Sequence, residues 1–149
     1  MNEIGHFING KEIRGSSGRF ADVFNPATGE IQASVALASK AELDNAVALA
    51  EKEQPKWANT NPQRRARVLM KFIELLHSNM DKLAEVLSSE HGKTIPDAKG
   101  DVIRGLEVAE FCLGAPHLLK GDFTDSAGPG IDMYSMRQPI GVVAGITPF

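Results

Sequence analysis

The chain has 149 residues, 42% of them hydrophobic and 23% charged, with a formal net charge of −3. That length and balance suit a soluble globular chain, and the mild acidity leaves no electrostatic footprint for nucleic acid or an anionic membrane. The single cysteine, Cys112, excludes an intrachain disulfide and suits a reducing compartment.

The start, Met1-Asn2-Glu3-Ile4-Gly5-His6, has no basic segment leading into an apolar one, so no signal peptide is expected. It also lacks the Arg-rich character of a mitochondrial presequence, and no apolar run is long enough to span a bilayer. A cytoplasmic location is the expectation.

His6-Phe7-Ile8 and Lys11-Glu12-Ile13 flank Asn9-Gly10, a two-residue hairpin signal because both turn positions need positive φ. A second hairpin is expected from Phe20–Phe24, the turn residues Asn25-Pro26-Ala27-Thr28-Gly29, and a strand in which Ile31, Ala33, Val35 and Leu37 alternate with Glu30, Gln32, Ser34 and Ala36. Ser39-Lys40-Ala41-Glu42 reads as a capping box. It opens a helix whose face carries Leu43, Ala46, Val47 and Ala50 and which ends near Pro55. The next helical stripe runs through Leu69, Phe72, Ile73 and Leu76. It continues at Met80, Leu83 and Leu87 after a break at Ser78-Asn79, with Gly92 as its cap.

A third helix is expected from Thr94, with Pro96 in its first turn and a buried stripe of Ile95, Ala98, Val102, Leu106, Ala109 and Leu113. Gly100 and Gly105 inside it cost about 1 kcal/mol each relative to Ala, which points to close approach by another element. Residues 121–130 read as a loop centred on Ser126-Ala127-Gly128-Pro129-Gly130, and Ile131 to Gln138 as a strand ended by Pro139. Gly141 to Phe149 is a continuous apolar run, the pattern of a strand buried on both faces of a parallel sheet. Ligands bind past the carboxyl ends of such strands, so the chain reads as the N-terminal piece of a larger α/β enzyme.

Most motifs fail on inspection. Gly92-Lys93-Thr94 looks like the end of a phosphate-binding loop, but Leu87 stands where that loop needs glycine, and the position ends a helix instead of opening one. Gly128-Pro129-Gly130 has Met133 where a dinucleotide fingerprint needs its third glycine. Cys112 reads as a small apolar packing residue and Trp57 as a packing anchor. The four histidines show no metal-ligand spacing, so no metal is expected. Arg104 carries two readings. It lies off the buried stripe with Asp101 and Glu107 three residues away on either side, as a solvated ion-pair arginine would. Yet glycines flank it, and arginine is the preferred fork for a carboxylate.

Asn25-Pro26-Ala27-Thr28-Gly29-Glu30, Glu90-His91-Gly92-Lys93-Thr94 and Pro139-Ile140-Gly141-Val142-Val143-Ala144-Gly145-Ile146-Thr147-Pro148-Phe149 resemble, in order and spacing, the N-terminal part of the NAD-dependent aldehyde dehydrogenase superfamily. The resemblance covers essentially the whole chain. Gly100-Asp101-Val102-Ile103-Arg104-Gly105-Leu106-Glu107-Val108 and Asp132-Met133-Tyr134-Ser135-Met136-Arg137-Gln138-Pro139 are similar to its CoA-acylating methylmalonate-semialdehyde dehydrogenase group.

The resemblance implies an α/β fold whose subunit has a cofactor domain, a catalytic domain and an oligomerisation arm, assembled as a homotetramer. Residues 1–120 and 139–149 would be an incomplete cofactor-binding domain. Residues 121–138 would be the first limb of the arm, and the catalytic domain would be absent. It also implies oxidation of a small semialdehyde through a cysteine thiohemiacetal, hydride transfer to NAD and a thioester. Coenzyme A, as co-substrate, takes the acyl group, and the substrate carboxylate leaves as carbon dioxide. Ile146, Thr147, Pro148 and Phe149 would lie beside the nicotinamide half of NAD, and Arg104 would receive the substrate carboxylate. No catalytic residue falls within the chain. The oxyanion asparagine would follow Phe149, and the nucleophilic cysteine and general-base glutamate would lie further on. The alternatives are another NAD(P)-dependent subgroup of the superfamily, or a non-catalytic α/β interaction domain using the edge strand Ile131 to Gln138.

Overall fold

The structure, a computed structural model, describes residues 2–147. Its elements run β1 (Asn2–Ile4), β2 (His6–Ile8), β3 (Lys11–Ile13), β4 (Phe20–Phe24), β5 (Ile31–Ala36), α1 (Lys40–Ala58), α2 (Pro62–Ser78), α3 (Met80–His91), α4 (Ile95–Cys112), α5 (Ala115–Leu118), β6 (Phe123–Gly128) and β7 (Ile131–Tyr134).

Both expected hairpins form. β2 and β3 pair antiparallel with Ile8 opposite Lys11, and Asn9 and Gly10 take φ of 53° and 73° between them. That pair of positive angles matches the right-handed twist of the strands it joins. β4 pairs antiparallel with β5, and β1 adds to the other side of β5 in parallel. β5 is therefore central, and its burial does not follow the expected alternation. Ala33 and Ala36 are buried, whereas Ile31 and Leu37 stay exposed.

The turn before β5 docks on the helices. Asn25 Oδ1 accepts from the Ala27 amide at 2.9 Å, and the Gly29 amide donates to the Asn25 carbonyl at 2.8 Å. This sets Pro26 against Gly92, the αL cap of α3 at φ 84°, where an added Cβ would stand 3.0 Å from Pro26 Cγ. Gln32 Nε2 donates to the Ser89 carbonyl at 3.1 Å beside it.

The capping box forms. The Ser39 amide donates to Glu42 Oε2 at 2.8 Å, and the Glu42 amide donates to Ser39 Oγ at 3.3 Å. Glu42 Oε1 also accepts from the Ser16 amide at 2.7 Å, which ties the loop before β4 to the start of α1. The Ser39 backbone bond, with the Ser16 bond second, lowers the Glu42 pKa to about 2. A depressed carboxyl pKa adds stability that is complete above the unfolded value of about 4.3 and is withdrawn as pH falls through the folded value. Glu42→Gln in the full-length protein should therefore flatten the fall of melting midpoint on acidification below about pH 4.3. A slope unchanged from the parent would show that Glu42 does not titrate abnormally.

α1 does not end at Pro55. Proline removes one helical bond, but the Asn59 amide still donates to the Pro55 carbonyl at 3.0 Å, and the helix runs on to Ala58. The expected face of α1 is also left open, with Leu43 and Val47 exposed and no residue of the helix buried. The break at Asn79 separates α2 from α3 as expected.

Where the helices meet, the buried residues are small. Ala66 of α2, Ala84 of α3, and Ala98 and Leu106 of α4 are buried, and Ala33 and Ala36 complete the buried apolar set among the described residues. Alanine lets helix backbones approach closely but removes little apolar area from water. Long apolar side chains including Phe72, Val86, Val108 and Phe111 remain exposed. The stripe of α4 is where expected, except that Ile95 at its start is exposed.

Two expectations near the end of the chain are corrected. Residues 123–128, expected within a loop, form β6 and pair with β7, turning through Pro129 and Gly130 at φ 69°. Proline presets the first turn angle and glycine supplies the positive second one, so these residues make a hairpin turn instead of a flexible linker. β7 stops at Tyr134, short of Gln138, and the Ser135 amide closes the pairing on the Asp122 carbonyl at 2.9 Å. Residues 139–147 form no strand, although a buried strand was expected from Gly141 onward. A strand of that kind needs neighbours on both edges and helices on both faces. Among the described residues no strand pairs with this segment, and Val142, Val143 and Ile146 are exposed.

Candidate functional site

α4 carries a chain of ion pairs that begins just before its first turn. Thr94 is the N-cap of the helix, so Lys93 places a cation beside the positive end of the helix dipole. Asp97 and Asp101, four and eight residues on, compensate it. Lys93 Nζ lies 3.0 Å from Asp97 Oδ2 and also pairs with Asp101 Oδ2. The other oxygen of the same carboxylate, Asp101 Oδ1, accepts from Arg104 Nη2. Side-chain exposure rises along the chain from 14% at Lys93 to 21% at Asp101 and 66% at Arg104.

The hydrogen bond to Asp101, with that to Asp97 second, raises the Lys93 pKa above its ordinary value. The bond from Lys93 holds the Asp101 carboxyl low, against the opposing effect of desolvation and with help from Arg104. Lys93 and Asp101 therefore both remain charged across the neutral range.

Arg104 thus meets both of its readings in part. It has an ion-pair partner three residues back, and most of its side chain is open to solvent. The side chain lies over Gly100, where an added Cβ would stand 3.6 Å from Nη1. Close approach of another element at the two glycines is not found. Arg104 itself fills the space at Gly100, and nothing stands within contact of a Cβ added at Gly105. Gly105 instead lines an open apolar groove with Phe72, Leu76, Leu83, Val102 and Leu106.

Ile146 and Thr147 lie in the irregular segment after β7, outside any sheet, and both are exposed. Pro148 and Phe149 fall outside the described residues. No hydrogen bond or ion pair among the described residues brings this segment together with Arg104. Cys112 is exposed at the end of α4, where its neighbours around a shallow pocket include Trp57, Pro62, Arg65, Leu69 and Leu119. The expectation of a packed cysteine is corrected to that extent, since Cys112 is exposed although Ala115 of α5 lines the same pocket. Trp57 is half exposed beside it.

Lys93 and Asp101 act as one unit that the sequence pattern alone does not single out. The visible signal was the four-residue spacing of Lys93, Asp97 and Asp101 across a helix start, with Arg104 three residues beyond.

A family model for the aldehyde dehydrogenase family matches residues 13–149. A protein of Pseudomonas aeruginosa named malonate-semialdehyde dehydrogenase is 48% identical over the whole chain, which spans 30% of that protein. One of Arabidopsis thaliana, named methylmalonate-semialdehyde dehydrogenase, acylating, mitochondrial, is 43% identical over 98% of this chain and 24% of its own length. A crystal structure described as a methylmalonate-semialdehyde dehydrogenase of Sinorhizobium meliloti 1021, complexed with NAD, is 67% identical and superposes with a TM-score of 0.91 over 95% of this chain and 29% of that one. The chain thus spans about 30% of the length of the relatives it matches, and its hairpins and helices are those of the N-terminal part of their fold. The chain belongs to the aldehyde dehydrogenase family.

Proposed function

We propose that the protein containing this chain is an NAD-dependent, CoA-acylating dehydrogenase of malonate and methylmalonate semialdehydes, releasing carbon dioxide and acetyl-CoA or propionyl-CoA. The observation that carries this reading is Arg104, a largely exposed arginine side chain on α4 in a chain whose relatives are named for carboxylate-bearing aldehydes. Ordinary aldehydes offer that cation nothing to pair with. The word "acylating" in the Arabidopsis protein's name supports coenzyme A as the acyl acceptor.

Ile146, Thr147, Pro148 and Phe149 are the proposed nicotinamide-side contacts. The described part of that segment fits such a role, since Ile146 and Thr147 have backbone amides and carbonyls outside any sheet ladder. NAD, when bound, accepts the hydride; this segment would orient its reactive ring. Residues 1–120 and 139–149 are assigned to the cofactor-binding domain and 121–138, with β6 and β7, to the first limb of an oligomerisation arm in a homotetramer. The hairpin's exposed apolar residues Phe123, Ile131 and Tyr134 support a covered position in an assembly. A cytoplasmic location is proposed, supported by the single cysteine. No helix among the described residues is long and apolar enough to cross a membrane.

The full-length enzyme should reduce NAD with malonate semialdehyde only when coenzyme A is present, and acetyl-CoA should accumulate in step with NADH. Formation of the free acid at the same rate without coenzyme A would overturn the acylating assignment.

A further inference from the structure

We propose that Asp101, anchored by Lys93, is a positioning residue that holds the Arg104 guanidinium toward the carboxylate of the substrate, an inference that rests on the reading of Arg104 just given. The geometry divides the Asp101 carboxylate between two cations. Oδ2 takes Lys93 and Oδ1 takes Arg104 Nη2. A guanidinium has five N–H donors, so this contact leaves enough of them to fork a second carboxylate. Nη1 lies over Gly100, where an added Cβ would stand 3.6 Å away in ordinary contact, so the small residue leaves the arginine room without being bound by it.

The order of burial gives the division of labour. Lys93, the most enclosed of the three and shared with Asp97, offsets the negative charge of Asp101, and Arg104 is the most exposed. Without Lys93, the Asp101 carboxylate would repel an incoming anion from next to its intended partner. Without Asp101, the long arginine side chain would keep its rotamer freedom until substrate ordered it, and that ordering would be charged against binding. The arrangement preorganises an exposed arginine by tying it to a helix-bound carboxylate.

The test uses the full-length enzyme with malonate semialdehyde and with propanal, which has no carboxylate. Asp101→Asn should raise KM for malonate semialdehyde by about fivefold or more, with a much smaller change for propanal. Asp101→Glu, which restores the charge on a longer stem, should recover a large part of that loss. An unchanged or lowered KM for malonate semialdehyde would overturn the proposal, because Asp101 would then be a competitor for Arg104. Equal losses on both substrates would also overturn it, in favour of a structural role. If Asp101→Asn does not fold, Lys93→Met should give the same selective rise in KM, and its absence there would be as damaging. Arg104→Leu assayed alongside separates the two claims. A selective loss in Arg104→Leu without one in Asp101→Asn overturns the positioning role and leaves the reading of Arg104 standing, whereas no selective loss in either variant overturns both.

Discussion

A full-length enzyme carrying Arg104→Leu should turn over malonate semialdehyde at least about tenfold more slowly in kcat/KM, while propanal turnover falls far less. The size follows from the contact. A well-formed arginine–carboxylate pair contributes on the order of 1.5–3 kcal/mol, and a tenfold loss needs about 1.4 kcal/mol. The competing explanation is that Arg104 supports the fold, and magnitudes argue against it. The side chain is 66% exposed and its recorded partner is a neighbour on the same helix. Such helix-surface pairs are worth about 0.3–0.5 kcal/mol, too little to account for a tenfold effect. Leucine also keeps the helix propensity of the position. Equal losses on both substrates would assign Arg104 a structural role, and no loss on either would return it to a solvated ion pair.

Local signals in the sequence were reliable where chemistry over four residues decides the backbone. Asn9-Gly10 dictated its hairpin, Ser39 and Glu42 their capping box, and Gly92 the end of α3. Errors arose where the outcome depends on partners distant in sequence. The parallel joining of β1 to β5 made β5 central, and no alternation within residues 31–37 could reveal that. The apolar run from Gly141 has the composition of a buried strand but finds no neighbouring strand among the described residues, so composition alone does not make it one. Pro129-Gly130 reads as loop punctuation in the sequence, yet with Gly130 at φ 69° it turns the β6–β7 hairpin.

The site divides in the same way. Arg104 stood out for its place off the buried stripe and for the glycines near it. Lys93 and Asp101 did not, because the sequence shows pairs of charges and not which oxygen of a carboxylate serves which cation. That Asp101 is shared became visible only with side chains placed.

The 149-residue chain, purified by itself, should give no NADH from malonate semialdehyde, NAD and coenzyme A. Acyl transfer in this family's chemistry needs a thiolate nucleophile and a base to activate it. The chain has one thiol to offer, Cys112. It sits at the rim of a pocket shared with Trp57, Pro62, Arg65, Ala66 and Leu69, and no histidine or carboxylate lines that pocket to serve as base. A nucleophile is also useless without donors aimed at the developing oxyanion, and the expected family asparagine is not among these residues. Loss of a catalytic nucleophile alone costs on the order of a millionfold in a well-studied protease, so residual turnover would fall below detection. The isolated chain should also associate, because Phe7, Phe72, Phe111, Phe123 and Tyr134 present apolar surface to water. Light scattering alongside the NADH assay reads both outcomes. Aldehyde-dependent NADH formation that disappears in Cys112→Ala would show that Cys112 is a working nucleophile, and a monodisperse, cooperatively melting monomer would show that those apolar side chains need no partner.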